Sequence, residues 1–153
     1  MAKDIYGVNE WGDGLIKISQ IFESSGIDEA KSFASSLTDN LYGFDFGPIL
    51  FKPTLSGGAQ TFRQDKEGTL SYFVGQNPKY PKDTGFGLKY WRDVRFDTSS
   101  TFIEDTVAMW MGWVSFEDKD GKVTKVDKSW GYKKDSKGNL KIILHHSSLP
   151  YQD

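Results

Sequence analysis

The two histidines of the chain are adjacent, in Leu144-His145-His146-Ser147-Ser148-Leu149-Pro150, and this run holds the densest group of chemically able side chains. Successive residues of a strand point to opposite faces. Ile143, His145 and Ser147 are therefore expected on one face, and Ile142, Leu144, His146 and Ser148 on the other. One imidazole and one hydroxyl two residues apart could work on a single small ligand. The same spacing also fits a strand end that carries polar residues because it meets water.

Other chemistries fit less well. Neighbouring histidines on a strand cannot both reach one ion, and the chain has no cysteine. A zinc centre, which draws several ligands from His, Cys and carboxylate, is set aside. A weak oxygen-ligand site for magnesium or calcium stays open. Ser147 beside a histidine is half a triad, but no Gly-x-Ser-x-Gly elbow accompanies it. Paired carboxylates for glycoside chemistry are not visible, and Ser56-Gly57-Gly58 lacks the surroundings of a phosphate loop. An isomerase would need a carboxylate turned into a pocket; Asp45, Glu104 and Asp127 are the candidates.

The elements that must position these residues can be read in outline. At 153 residues the chain is expected to form one domain, 1–153, with a substantial core. Aromatic residues make up 15% of it, enough to fill a curved sheet and still line a pocket or an interface. A net charge of −2 gives no footprint for nucleic acid or an anionic membrane. There is no long apolar run, and Met-Ala-Lys-Asp-Ile-Tyr lacks the apolar core of a signal peptide. The expected location is the cytoplasm, or a plastid if a transit peptide has been removed.

Trp11, Leu15, Ile18 and Phe22 have helical spacing, and Ser24-Ser25-Gly26 ends the helix. A second helix is expected from Asp28 as N-cap, with Ala30, Phe33, Ala34, Leu37 and Leu41 buried. Tyr42 to Thr54 reads as one or two short strands bent at Gly47-Pro48. A loop over 55–59, a short strand over 60–63, a helix beginning near Thr69 and closed by Gly75, and a loop over 76–84 follow. The remainder reads as a four-strand antiparallel meander over 88–97, 101–116, 123–134 and 140–148. Its turns are expected at Asp97-Thr98-Ser99-Ser100, Asp118-Lys119-Asp120-Gly121 and Asp135-Ser136-Lys137-Gly138. Strand 101–116 is apolar on both faces: Val107, Met109, Met111 and Trp113 on one, Ala108, Trp110, Val114 and Phe116 on the other. Such a strand needs a second cover, most simply another copy of the chain, which predicts a homodimer. The order of elements is α+β. It resembles the cone-shaped fold of ketosteroid isomerase, the SnoaL cyclases and nuclear transport factor 2, a strongly curved, mostly antiparallel sheet wrapped around N-terminal helices, with a pocket at its open end.

The ending Lys141-Ile142-Ile143-Leu144-His145-His146-Ser147-Ser148-Leu149-Pro150-Tyr151 closely resembles the His-His-Ser-Ser signature of the iota-class carbonic anhydrases. These share the cone fold with the association domain of calcium/calmodulin-dependent protein kinase. The likeness runs through Leu41-Tyr42-Gly43-Phe44, Phe51-Lys52-Pro53-Thr54 and Leu70-Ser71-Tyr72-Phe73. It is greatest to the short members that work without a metal; a third histidine often precedes the pair, and here that position is Leu144. The resemblance implies a lyase that hydrates carbon dioxide reversibly to bicarbonate with no cofactor. It implies catalytic roles for Thr54, Tyr72, His145 and Ser147, with Thr54, Tyr72 and Ser147 binding substrate. Thr54 and Ser147 would orient water, Tyr72 would donate to a carbon dioxide oxygen, and His145 would orient Ser147 or relay the proton. By residue type alone, Tyr72 would be a core aromatic and Thr54 a loop cap. Two other functions compete: an oligomerisation module of the kinase-association type, and a SnoaL- or isomerase-like enzyme acting through a carboxylate.

Overall fold

The computed structural model describes residues 6–153. Helix α1 (Tyr6–Ser25) and helix α2 (Ile27–Leu41) are separated by Gly26 alone, whose φ of 90° suits a residue without Cβ. Gly26 thus ends one helix and caps the next. Asp28, expected as the cap, lies inside the first turn, where its charge faces the helix dipole. Trp11, Leu15 and Ile18 are buried on α1, and Ala30, Ala34, Thr38 and Leu41 on α2. No helix among the described residues is long and apolar enough to cross a membrane.

Five strands form one curved sheet in the order β1-β5-β4-β3-β2, with β1 at Leu50–Lys52, β2 at Trp91–Ile103, β3 at Val107–Asp118, β4 at Val123–Lys134 and β5 at Leu140–Ser148. The meander β2 to β5 is antiparallel throughout, while β1 joins β5 in parallel. Its inner face carries Trp110, Val114, Phe116, Val126, Trp130, Tyr132 and Ile142, all buried. This is the expected α+β architecture, with helices inside the curve.

Two bulges correct the strand boundaries. The expected turn at 97–100 is instead the middle of β2: the register slips between Thr98 and Ser100, and the chain reverses only after Ile103. Gly112 makes the slip feasible, because a Cβ there would lie 2.3 Å from the Asp97 carbonyl. Residues 101–103 therefore belong to β2. In β5 the register slips again, Gly131 pairing with Leu144 but Tyr132 with Ile142. Ile142, not Ile143, joins His145 and Ser147 on the inner face.

Residues 60–63 form no strand. A 3-10 turn covers Gly58–Gln60, and Arg63 makes one bridge to Phe51. Helix α3 (Lys66–Val74) begins three residues before Thr69, because the Asp65 carboxylate accepts from the Gly68 N–H at 2.8 Å.

Candidate active site

Thr54 reaches the end of β5 because β1 runs parallel to it in a fixed register. Phe51 lies opposite His145 and Lys52 opposite His146. Lys52 Nζ reinforces the alignment by donating to the Ser147 carbonyl at 2.7 Å. Two residues on, Thr54 Oγ1 and Ser147 Oγ lie 2.5 Å apart, although 93 positions separate them in sequence. Ser147 is fully buried and Thr54 nearly so. The two hydroxyls close on one another, and no open space lies between them.

Tyr72 comes from α3. Its hydroxyl accepts the Leu55 N–H at 3.2 Å, which leaves the phenol hydrogen free to donate. The ring stacks on Phe86 and meets Phe51 edge-on. Burial raises its pKa further above the ordinary phenol value, against the smaller pull of the Leu55 N–H and the Thr54 hydroxyl, so it stays protonated. Tyr72 also lines a polar cavity of about 30 Å³, with Leu55, Lys82, Asp83, Gly85, Phe86 and Lys89 among the other walls. That is room for about one or two water molecules.

A buried ion pair secures this wall. Arg63 grips Asp83 with two hydrogen bonds, at 2.7 and 2.8 Å, while donating to the Gly68 carbonyl at 2.9 Å. Ser71, beside Tyr72 on α3, donates to the same Asp83 carboxylate at 2.7 Å. The segment after β1, helix α3 and the loop before β2 are thereby fastened to one another.

His145 does not join the hydroxyls. Its Nδ1 meets Tyr42 Oη at 2.8 Å and its Nε2 meets Lys128 Nζ at 2.8 Å, so neither nitrogen bonds Ser147. The ring stacks on Phe51 with centroids 4.6 Å apart and packs against Trp11 and Trp130. Burial, with Lys128 and His146 adding to it, holds its pKa well below the usual histidine value. It shares a face with Ser147, as alternation predicts, but its two bonds run to partners the sequence reading did not pick out.

Those partners are Tyr42 and Lys128. Lys128 stands opposite Ser147 in the β4–β5 register and is buried. A signal for it existed: it lies two residues from Val126 and two from Trp130, on the inward alternation of β4. The carboxylates proposed for an isomerase do not turn inward. Asp45 and Glu104 are exposed, and Asp127 belongs to the outer alternation of β4. Among the described residues no cluster of His, Cys, Asp or Glu is placed to hold a metal ion.

Residues 5–149 match the model of a family described as metal-independent carbonic anhydrase. A metal-independent carbonic anhydrase from a Nostoc species is 46% identical over 142 residues, 93% of this chain and 69% of that one. The crystal structure of a cyanobacterial iota-carbonic anhydrase complexed with bicarbonate superimposes with a TM-score of 0.95 at 44% identity, covering 97% of this chain and 90% of that one. A calcium/calmodulin-dependent protein kinase II association domain from Xanthomonas campestris gives a TM-score of 0.56 at 22% identity, covering 95% and 84%. That likeness extends to the fold alone.

Proposed function

The chain belongs to the metal-independent carbonic anhydrase family, and from that membership we propose that it interconverts carbon dioxide and bicarbonate at the Thr54–Ser147 hydroxyl pair. The observation that carries this is the 2.5 Å contact between two buried hydroxyls from distant segments, with the Tyr72 wall alongside. The bicarbonate bound by the similar cyanobacterial enzyme supports an anion-compatible site in this fold.

Each hydroxyl both donates and accepts. Parting by the width of one water, Thr54 and Ser147 hold its oxygen between them and orient a lone pair toward carbon dioxide. Negative charge then develops on the carbon dioxide oxygens, and the Tyr72 hydrogen meets it where it appears. Fixed donors stabilise that charge in the transition state more than in the neutral substrate. A zinc ion would lower the pKa of bound water from about 15.7 to about 7, which corresponds to about 12 kcal/mol. Hydroxyls do not generate free hydroxide, so the proton leaves as the carbon–oxygen bond forms. With both His145 nitrogens engaged, the hydroxyl pair relays the water proton to a carbon dioxide oxygen as the carbon–oxygen bond forms, giving carbonic acid, which loses its proton to solvent water as bicarbonate leaves; turnover is slower than at zinc.

A homodimer is part of the same proposal. The outer sheet face leaves Phe102, Met109, Met111 and Trp113 exposed, and a groove of about 210 Å³ at the β1 edge exposes Leu50 and Phe62. The groove lies at the opposite edge of the sheet from the β2–β3 patch, and it is that patch, where Phe102 pairs with Met109, that marks the interface. Met111→Lys is expected to convert the protein to monomer in sedimentation equilibrium; an unchanged dimer would move the interface elsewhere.

Carbon dioxide hydration by stopped-flow indicator, on protein stripped with chelator, tests the activity. Persistence after stripping, with loss of about a hundredfold or more in folded Thr54→Ala and Ser147→Ala, is expected for donors acting on the transition state. No rate above buffer from folded wild type would overturn it and favour the oligomerisation module.

A further inference from the structure

Lys128 is the only buried lysine among the described residues, and no carboxylate pairs with it. Its Nζ is 2.8 Å from His145 Nε2 and faces the rings of Trp11, Trp130 and Phe116 at 4.6, 5.4 and 5.8 Å. The direction of the hydrogen bonds leading to it can be worked out from the other end. The Trp11 indole N–H can only donate, and it donates to Tyr42 Oη at 3.2 Å. Tyr42 is buried, and its own hydrogen has one acceptor in reach, His145 Nδ1 at 2.8 Å. Receiving that hydrogen makes Nδ1 the bare nitrogen, so a neutral His145 carries its hydrogen on Nε2. That N–H points at Lys128, and only an uncharged amine has a lone pair to receive it.

The opposite direction strands a group. An ammonium would donate to Nε2 and force the hydrogen of His145 onto Nδ1. Tyr42 would then accept from both Trp11 and His145, leaving its hydrogen without an acceptor in a dry interior. The aromatic faces favour a cation and are the counterweight. Against them stand complete burial and the charge of Lys52 from the β1 side; Asp127, on the outer alternation of the same strand, attracts only weakly by comparison. Both Lys128 and His145 have their pKa values lowered, by burial above all, while burial raises that of Tyr42.

We infer that Lys128 is held as a neutral amine and acts as a positioning residue, fixing His145 and, through the Phe51–His145 pairing, the β1–β5 register that lays Thr54 against Ser147. Its catalytic consequence rests on the hydroxyl pair being the reacting site; its protonation state does not. The uncharged chain Trp11–Tyr42–His145–Lys128 sets the strand spacing through hydrogen bonds alone.

Nitrogen-15 NMR tests the assignment directly. In His146→Gln, which changes an exposed residue, His145 is the only histidine, so its ring nitrogens are identified without ambiguity. The expected spectrum at neutral pH shows hydrogen on Nε2, a bare Nδ1, and Lys128 Nζ at the neutral-amine position. Hydrogen on Nδ1 with an ammonium at Lys128 overturns the proposal, as does an imidazolium. Kinetics test the positioning role. Lys128→Met leaves the His145 Nε2–H without an acceptor and loosens the ring that sets the register, so kcat should fall about tenfold or more through misplacement of the hydroxyl pair, with KM little changed. Lys128→Arg, an obligate cation, should lose more. Wild-type kcat in Lys128→Met, or better activity in Lys128→Arg than in Lys128→Met, overturns the role. If Thr54→Ala and Ser147→Ala were active while the spectrum showed the neutral amine, the site reading would fail and the amine assignment would stand.

Discussion

His145 and Ser147 are two residues apart on one strand and face the same interior, yet they belong to different kinds of structure. The Ser147 hydroxyl meets a single partner, Thr54, beside a wall that borders a small polar cavity. His145 is saturated, with both nitrogens bonded and its ring stacked among aromatics. The residue type most often associated with proton transfer is here fixed in place, while plain hydroxyls keep the freedom to exchange one partner for a ligand. A side chain's chemistry is decided by which of its valences the fold leaves open.

That contrast can be broken by substitution. Ser147→Ala removes a small hydroxyl and should cost activity far more than stability. His145→Ala removes a buried ring and orphans Tyr42 and Lys128, so it should cost about 3 kcal/mol or more in chemical denaturation. If the two variants lost stability equally, the distinction between a reacting pair and a fixed scaffold would collapse. The Tyr72 wall sharpens the comparison. Asp83→Ala leaves the Arg63 guanidinium buried and unpaired, for which a loss of about 3–5 kcal/mol is expected. Denaturant midpoints of Asp83→Ala against wild type read this directly, and a surface-like change of a few tenths would remove the ion pair from the account.

A further comparison lies in pH. A lysine whose pKa is lower folded than unfolded binds fewer protons in the native state, so stability rises with pH up to the unfolded value of about 10.4. Burial is the cause for Lys128. Between about pH 7 and 10, wild type should gain stability relative to Lys128→Met, approaching about 1.4 kcal/mol per pH unit for one proton. Above that window the raised phenols of Tyr42 and Tyr72 work in the other direction, because the unfolded chain loses their protons first. Parallel stability curves for the two proteins would mean that Lys128 is charged when folded.

Much of this was legible in the residues, and the gaps have physical causes. The buried stripe of α1, the last two strands and the shared face of His145 and Ser147 follow from period alone. The bulges do not, since Asp97-Thr98-Ser99-Ser100 has the composition of a turn and only Gly112, on the neighbouring strand, reveals that β2 continues. The parallel pairing of β1 with β5 is a long-range event that no local pattern announces, and it is what brings Thr54 to Ser147. Thr54 and Tyr72 were therefore reachable only through family resemblance. Lys128 had a periodic signal, but a lysine at an inward position is easily read as an exception to the alternation.

The most direct test of the central claim is a double-mutant cycle on the hydroxyl pair, Thr54→Val and Ser147→Ala, read by carbon dioxide hydration on chelator-stripped protein. Each single variant should lose about a hundredfold or more in kcat/KM. The double variant should lose little beyond either, because residues that act as one unit are strongly non-additive. Multiplicative losses, or either single variant at wild-type rate, would contradict a reaction centred on Thr54 and Ser147.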